Sequence, residues 1–236
     1  MLFQFVFPRK CAICGDICIP KGKLVCTECR EKPVLVKEPR CKKCSKPISS
    51  GELEYCYDCS SKEFHYNRGF SLWLYDQTMK QSIIGFKYKN CKEYAEYYAD
   101  EVARQLGKEI KSIGPDILVP VPVHGSRKRQ RGYNQAELLA VEIGRRLHIE
   151  VKPDLLIRTV KTKPQKELSN VERMKNLEKA FAVSEKYVNQ LSKFHKLMLV
   201  DDIYTTGSTI EACTKVLQRA GASDIYFIAL CIGQGF

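Results

Sequence analysis

The stretch LVDDIYTTGST, Leu199 to Thr209, sets two adjacent carboxylates at the end of an apolar run and follows them with serine and threonine hydroxyls around one glycine. A turn between the end of a strand and the start of a helix points backbone amides outward at the positive end of the helix dipole, which suits a phosphate. Gly207 permits close backbone approach, and Thr205, Thr206, Ser208 and Thr209 add hydroxyl donors. Asp201 and Asp202 repel phosphate, so they must meet another part of the ligand, and sugar hydroxyls are natural partners. A sugar carrying a terminal phosphate satisfies both halves. A nucleoside-triphosphate P-loop is a poorer reading, since no Gly-Lys-Ser/Thr occurs.

A second chemistry stands at the other end. Cys11, Cys14, Cys26 and Cys29 are followed by Cys41, Cys44, Cys56 and Cys59, so one C-x2-C-x11-C-x2-C pattern recurs with a shift of 30 residues. Two Cys-x-x-Cys turns can aim four thiolates at one tetrahedral zinc, and four thiolates close the shell and leave no position for a reacting water. The expectation is two structural zinc sites in tandem ribbons, paired sequentially within each repeat; interleaved pairing would use the same ligands. Segments this short bury too little to fold without the metal. Cys18, Cys91, Cys213 and Cys231 lie outside the pattern and are expected to be ordinary packed residues.

The elements that must position the acidic turn follow from periodicity. After about Asn67 the texture changes from short turns to alternating strand and helix patterns, dividing the chain into residues 1–66 and 67–236. GFSLWLYD reads as an amphipathic strand, and residues 77–107 as one or two helices. DILVPVPV reads as a buried parallel strand, followed by a helix from about Asn134 to Leu147. KLMLVDDIY is a second buried strand, STIEACTKVLQRAG a helix closed by Gly221, and DIYFIALCIG a third strand. Strand, helix, strand in that order implies a right-handed parallel crossover and an α/β fold.

Composition narrows the setting. The chain has 236 residues and a formal charge of +12; eight zinc-bound thiolates subtract eight and two zinc ions return four, leaving +8. That still attracts polyanions. Arg9, Lys10, Lys42, Lys43 and Lys46, with Tyr55 and Tyr57 nearby, could contact a phosphate backbone and stack bases, although a solvated surface is the safer reading of such charges. The apolar start MLFQFVF has no basic stretch before it and no small-residue cleavage site after it, and no segment reaches the roughly 20 apolar residues of a membrane span. Ligand-spaced cysteines fit reduced thiols, hence a cytoplasmic protein.

With these residues in hand, the acidic pair followed by TTGST resembles the signature of type I phosphoribosyltransferases, which bind 5-phosphoribosyl 1-diphosphate. The blocks VPVHGSRKRQRGYNQAELLA and RTVKTKPQKELSNVERMKN, in order with that signature and preceded by cysteine ribbons, resemble the ComF family of competence-associated proteins across nearly the whole chain. The resemblance implies a zinc-ribbon region joined to a type I phosphoribosyltransferase fold, with a role in natural transformation, affinity for single-stranded DNA and contact with DNA-processing competence proteins.

It also implies roles for particular residues. Asp201 and Asp202 would position the ribose, Thr205 to Thr209 would anchor the 5-phosphate, and the segment Val123 to Gly132, with His124, Arg127, Lys128, Arg129 and Arg131, would hold the diphosphate and its magnesium. Arg127 and Arg131, with the two acids, would carry catalysis by electrostatics. Residues 158–176 would form a closing loop, with Arg158, Lys161, Lys163, Gln165 and Arg173 as candidates. Adjacent strand residues point to opposite faces, so both acids reach the ribose only if the strand bends there. Nothing in the sequence names an acceptor; the ribbons or residues 60–110 would have to cover the site. A non-catalytic nucleic-acid-binding or adaptor protein using the ribose-phosphate site as a sensor is the alternative.

Overall fold

A computed structural model describes residues 8–159 and 177–233. The two cysteine repeats come first and fold alike. In each, the residue after the second cysteine is left-handed (Gly15, φ 83°; Ser45, φ 67°) and its amide donates to the carbonyl of the first cysteine at 2.9 Å. Gly accepts that conformation freely; Ser45 is held in it by a hydrogen bond from its Oγ to the Gly69 carbonyl at 2.7 Å. A short helix, α1 (Tyr57–Ser61), closes the second repeat.

The rest of the chain then builds one sheet. Its elements are β1 (Arg68–Leu74), α2 (Gln77–Tyr88), α3 (Tyr94–Ile113), β2 (Ile117–Pro120), α4 (Gly125–Arg131), α5 (Gln135–Leu147) and β3 (Glu150–Val151), then the hairpin β4 (Leu156–Arg158) and β5 (Phe181–Val183), and finally β6 (Lys196–Tyr204), α6 (Ser208–Arg219) and β7 (Asp224–Ile232). Caps explain several boundaries. The Asp76 carboxylate accepts from the Met79 amide at 2.8 Å to start α2, Asn134 Oδ1 accepts from the Ala136 amide at 3.2 Å to start α5, and α3 ends on Gly114 at φ 64°.

The sheet order is β1-β7-β6-β2-β3, with every pairing parallel. The expected crossover from β6 through α6 to β7 is present. Helices α2, α3 and α5 cover one face, meeting Met198 and Val200 of β6; α6 and the β4–β5 hairpin cover the other, meeting Leu197 and Leu199.

The ribbons seal the β1 edge of this sheet, one on each face. Cys11 and Cys29 are buried in the same cluster as Trp73, Tyr94 and Tyr98, whereas Cys41, Cys44 and Cys56 are buried with Phe64, Tyr66 and Phe227. Between the repeats the chain runs antiparallel along β1: Val36 N donates to Leu72 O at 3.0 Å, and Leu74 N to Val34 O at 2.8 Å. The expectation of an amphipathic first strand is therefore corrected. Phe70 to Trp73 are buried on both faces of β1, because one face meets the α2 and α3 core and the other lies under the second ribbon and Phe227. No helix among the described residues is long and apolar enough to cross a membrane.

Candidate functional site

The acidic pair sits where β6 leaves the core, and strand alternation sends the two side chains apart. Asp202 follows Met198 and Val200 to the α2 side, where Lys87 Nζ meets its Oδ2 at 2.7 Å. Asp201 follows Leu197 and Leu199 to the α6 side. Burial, then the neighbouring Asp202 carboxylate, push the Asp201 carboxyl up to about 7, opposed by the positive charges of Lys87 and Arg158. The Asp202 amide donates to Asp201 Oδ1 at 2.8 Å, and Ile203 packs against the core cluster that holds Met198 and Val200.

The hydroxyl turn comes at once. Thr205 and Thr206 are exposed, Thr206 Oγ1 lies 2.9 Å from Ser208 Oγ, and Gly207 caps α6 in the left-handed region at φ 80°. A Cβ on Gly207 would fall 2.5 Å from the Tyr204 hydroxyl and 2.9 Å from the Phe64 ring. Glycine is required here by backbone and by space together. The turn is buttressed from the second ribbon: Phe64 stacks on Tyr66 at 5.3 Å, and the Tyr66 and Tyr204 hydroxyls are 2.8 Å apart. His65 joins the same brace, its backbone N donating to the buried Glu211 carboxylate of α6 at 2.8 Å.

The basic block after β2 forms helix α4, where an open loop was expected. The structure shows the signals that make it: His124 Nδ1 accepts from the Ser126 amide at 3.2 Å as the cap, and Gly132 closes it at φ 81°. Arg127 is exposed, and burial, then the Arg127 charge, lower the pKa of the Arg158 guanidinium on β4, opposed by Cys213 and Asp201. These groups share one neighbourhood. Arg131 is turned elsewhere: Nη2 donates to the Tyr88 hydroxyl at 2.9 Å, Nη1 to Gln135 Oε1 at 2.9 Å, and the guanidinium lies 4.7 Å over the Tyr88 ring. Lys128 pairs with Glu137 at 2.9 Å, and Arg129 is exposed. Of the expected closing loop, Lys161, Lys163, Gln165 and Arg173 lie outside the described residues.

Lys87 and Tyr88, the last turn of α2, thus touch both Asp202 and Arg131, and sequence reasoning missed them. They sit in a run of lysines and tyrosines with no spacing that singles them out. Among the ribbon cations, Arg9 pairs with Glu96 at 3.2 Å, Lys42 with Glu54, and the buried Lys46 with Asp58 at 2.6 Å, while Lys43 lies 5.3 Å over the Tyr66 ring.

The metal sets fall out sequentially. Cys11, Cys14, Cys26 and Cys29 have all sulfurs within 4.8 Å of one another, as do Cys41, Cys44, Cys56 and Cys59. Tetrahedral zinc with bonds near 2.3 Å needs sulfurs about 3.8 Å apart, so both sets fit one ion each. Amides directed at the sulfurs complete the fit: Ile13 N and Cys26 N donate to Cys11 Sγ at 3.5 and 3.3 Å, and Ile19 N to Cys26 Sγ at 3.4 Å. Such bonds stabilise thiolates. The four cysteines outside the pattern are buried free thiols.

Residues 2–60 match the double zinc ribbon domain family. The chain is 29% identical to Competence protein F of Haemophilus influenzae over 220 residues, covering 85% of this chain and 93% of that one. It is 27% identical to the DNA utilization protein YhgH of Escherichia coli over 210 residues, covering 88% and 89%. A solved purine phosphoribosyltransferase from Pyrococcus horikoshii aligns with a TM-score of 0.37 and 19% identity, over 58% of this chain and 73% of that one.

Proposed function

We propose that this relative of Competence protein F and YhgH binds 5-phosphoribosyl 1-diphosphate and acts in the handling of imported DNA during natural transformation, in the cytoplasm. The observation that carries the ligand is the acidic pair at the end of β6 running directly into the Thr205–Thr209 turn, with the Arg158 and Arg127 charges acting on the Asp201 side. On this reading residues 67–236 hold the ligand, and residues 1–66 brace and cover the site.

The turn takes the 5-phosphate through its amides and hydroxyls, and the acids take the ribose hydroxyls. The arginines face the diphosphate, with His124 and Arg131 nearby on α4. Magnesium would supply charge neutralisation at the diphosphate oxygens; the only clusters of three or more candidate metal ligands among the described residues are the two cysteine sets, so the ion would come with the ligand. In the transfer reaction the bond from ribose C1 to the diphosphate oxygen breaks with its electron pair leaving on diphosphate. A nitrogen lone pair forms the new bond to C1, and the nitrogen's proton passes to solvent. The chain's contribution is positioning and electrostatics.

Titration calorimetry tests the ligand. Wild-type protein should bind 5-phosphoribosyl 1-diphosphate with magnesium, and the folded double variant Asp201→Asn with Asp202→Asn should bind it at least tenfold more weakly. Wild-type affinity in that variant overturns the assignment.

A sensor without transfer is a second reading, favoured by the Lys87–Asp202 ion pair, which occupies one acid in the free protein. Diphosphate release with any base acceptor distinguishes the transferase from the sensor. The DNA role rests on the relatives' names and the basic charge; it predicts single-stranded DNA binding that weakens steeply with salt and on neutralising Arg127 with Lys10 and Lys43. Loss of neither salt sensitivity nor affinity in those variants would remove this surface from consideration.

A further inference from the structure

Between the second ribbon and the phosphate turn lies a cleft of about 580 Å³, a size ordinary for small-molecule sites. One wall is Thr205, Thr206 and Gly233; the other is ribbon, including Leu53, Tyr55 and Tyr57. Its rim is unusual for so small a module, because Tyr57 is 77% exposed and Tyr55 46% exposed, each offering an aromatic face to solvent beside a zinc ligand. The wall is fixed in place. Lys46 is salt-bridged to Asp58 beneath it, and Phe64 and Tyr66 lock the ribbon onto Gly207 and Tyr204.

Strand order gives the cleft its meaning. β6 lies between β2 and β7. The arginine side of the acidic pair belongs to α4, which follows β2, and to β4; the cleft opens at Gly233, which follows β7. A ribose held over the end of β6 with its phosphate on the turn would therefore have cations on one side and an aromatic-rimmed cleft on the other. A group that replaces diphosphate in line must enter C1 from the side opposite the leaving group, and that side is the cleft.

We infer that the second zinc ribbon supplies the base-recognition wall of the site: the cleft receives the purine or pyrimidine of a nucleoside 5′-phosphate whose phosphate sits on the Thr205–Thr209 turn, with Tyr57 and Tyr55 as stacking surfaces. This rests on the ribose-phosphate reading above. Stacking a base on an aromatic side chain is sequence-tolerant, since every base has a π-face, and removing one such platform weakens binding by roughly five- to a hundredfold.

The experiment is calorimetry with three probes, ribose 5-phosphate, uridine 5′-monophosphate and adenosine 5′-monophosphate, on wild type, Tyr57→Phe and the double variant Tyr55→Ala with Tyr57→Ala. Both tyrosines are exposed, so the double variant should fold and keep two zinc ions, which metal analysis checks. Wild type should bind both nucleotides about tenfold or more tightly than ribose 5-phosphate, with adenine above uracil. Tyr57→Phe should keep that gain, and the double variant should lose it while binding ribose 5-phosphate as before. Nucleotides that bind no better than ribose 5-phosphate, or a gain that survives in the double variant, overturn the base wall and leave the phosphate turn standing. Failure of wild type to bind any of the three overturns the turn and the wall together.

Discussion

The first ribbon and the second share their ligand spacing, their left-handed residue and their turn hydrogen bonds, but they meet the rest of the molecule differently. The first is received: the Ser82 hydroxyl of α2 donates to Ala12 O, Gln81 Nε2 donates to Cys14 O at 3.2 Å, and Arg9 pairs with Glu96 of α3. The second is a support, its downstream segment Phe64–Tyr66 pressed against Gly207, Tyr204 and Glu211 at the start of α6. The difference lies in the path of the chain beyond each repeat. After Cys29 it runs along the outside of β1, whereas after Cys59 it passes under the phosphate turn and becomes β1. Ligand spacing specifies a metal site; the flanking residues decide what that site holds in place.

Separate removal of the metals is the strongest way to break this comparison. Structural zinc contributes on the order of 10 kcal/mol to small ribbons. Cys44→Ser should leave one zinc by metal analysis and abolish ribose 5-phosphate binding, whereas Cys14→Ser should also leave one zinc yet retain binding in the fraction that stays folded. Equal loss from both variants would make the ribbons equivalent supports.

A smaller effect probes the acidic end of the strand that the second ribbon braces. Asp201 has its pKa raised to about 7 by burial and by Asp202. The folded state therefore holds a proton that the unfolded chain has released, so this group's contribution to stability is greatest below about pH 4 and declines as pH rises toward 7. The decline should be about 2–4 kcal/mol across that window, and urea unfolding of Asp201→Asn should show it largely removed. A parallel slope in wild type and variant would reassign the proton.

Gly207→Ala combines left-handed strain with a clash against Phe64 and Tyr204, and should cost about 2–3 kcal/mol. Gly132→Ala has φ 81° and open space around it, so it should cost about 1 kcal/mol. The difference in unfolding midpoint between the two isolates the ribbon's contact with the turn. Tyr66→Phe strands the Tyr204 hydroxyl beside the second ribbon, and Ser82→Ala strands the Ala12 carbonyl and the Tyr98 hydroxyl beside the first. Each should cost about 1–2 kcal/mol, with ligand affinity falling only for Tyr66→Phe.

Spacing made the zinc ligands legible, because eight cysteines in two congruent sets leave little else to assemble. The strands of the sheet were legible for a related reason: buried parallel strands are short apolar runs, and KLMLVDDIY and DIYFIALCIG form β6 and β7 over the expected residues. The features that escaped were long-range or too short to have a period. Lys87 reaches Asp202 from α2, and no local pattern marks one lysine among several. The Val34–Val36 strip is too brief for alternation to show, yet it changes β1 from a half-exposed strand to a buried one. Helix α4 could have been read from His124 as cap and Gly132 as terminator, but seven residues rich in arginine and lysine look like a solvated loop.

The placement of β1 has a consequence for the order in which the molecule can be assembled. Its only neighbour in the parallel sheet is β7, the last strand described, and its other side is lined by the strip between the ribbons. Each ribbon can gather its own metal as soon as its cysteines leave the ribosome, and the first meets its α2 and α3 seat soon after, but the second has no seat on the phosphate turn until Tyr204, Gly207 and Glu211 have been made. The second ribbon therefore waits, loaded and undocked, for a turn far downstream of it, and the long loop between them must close before its side of β1 is sealed.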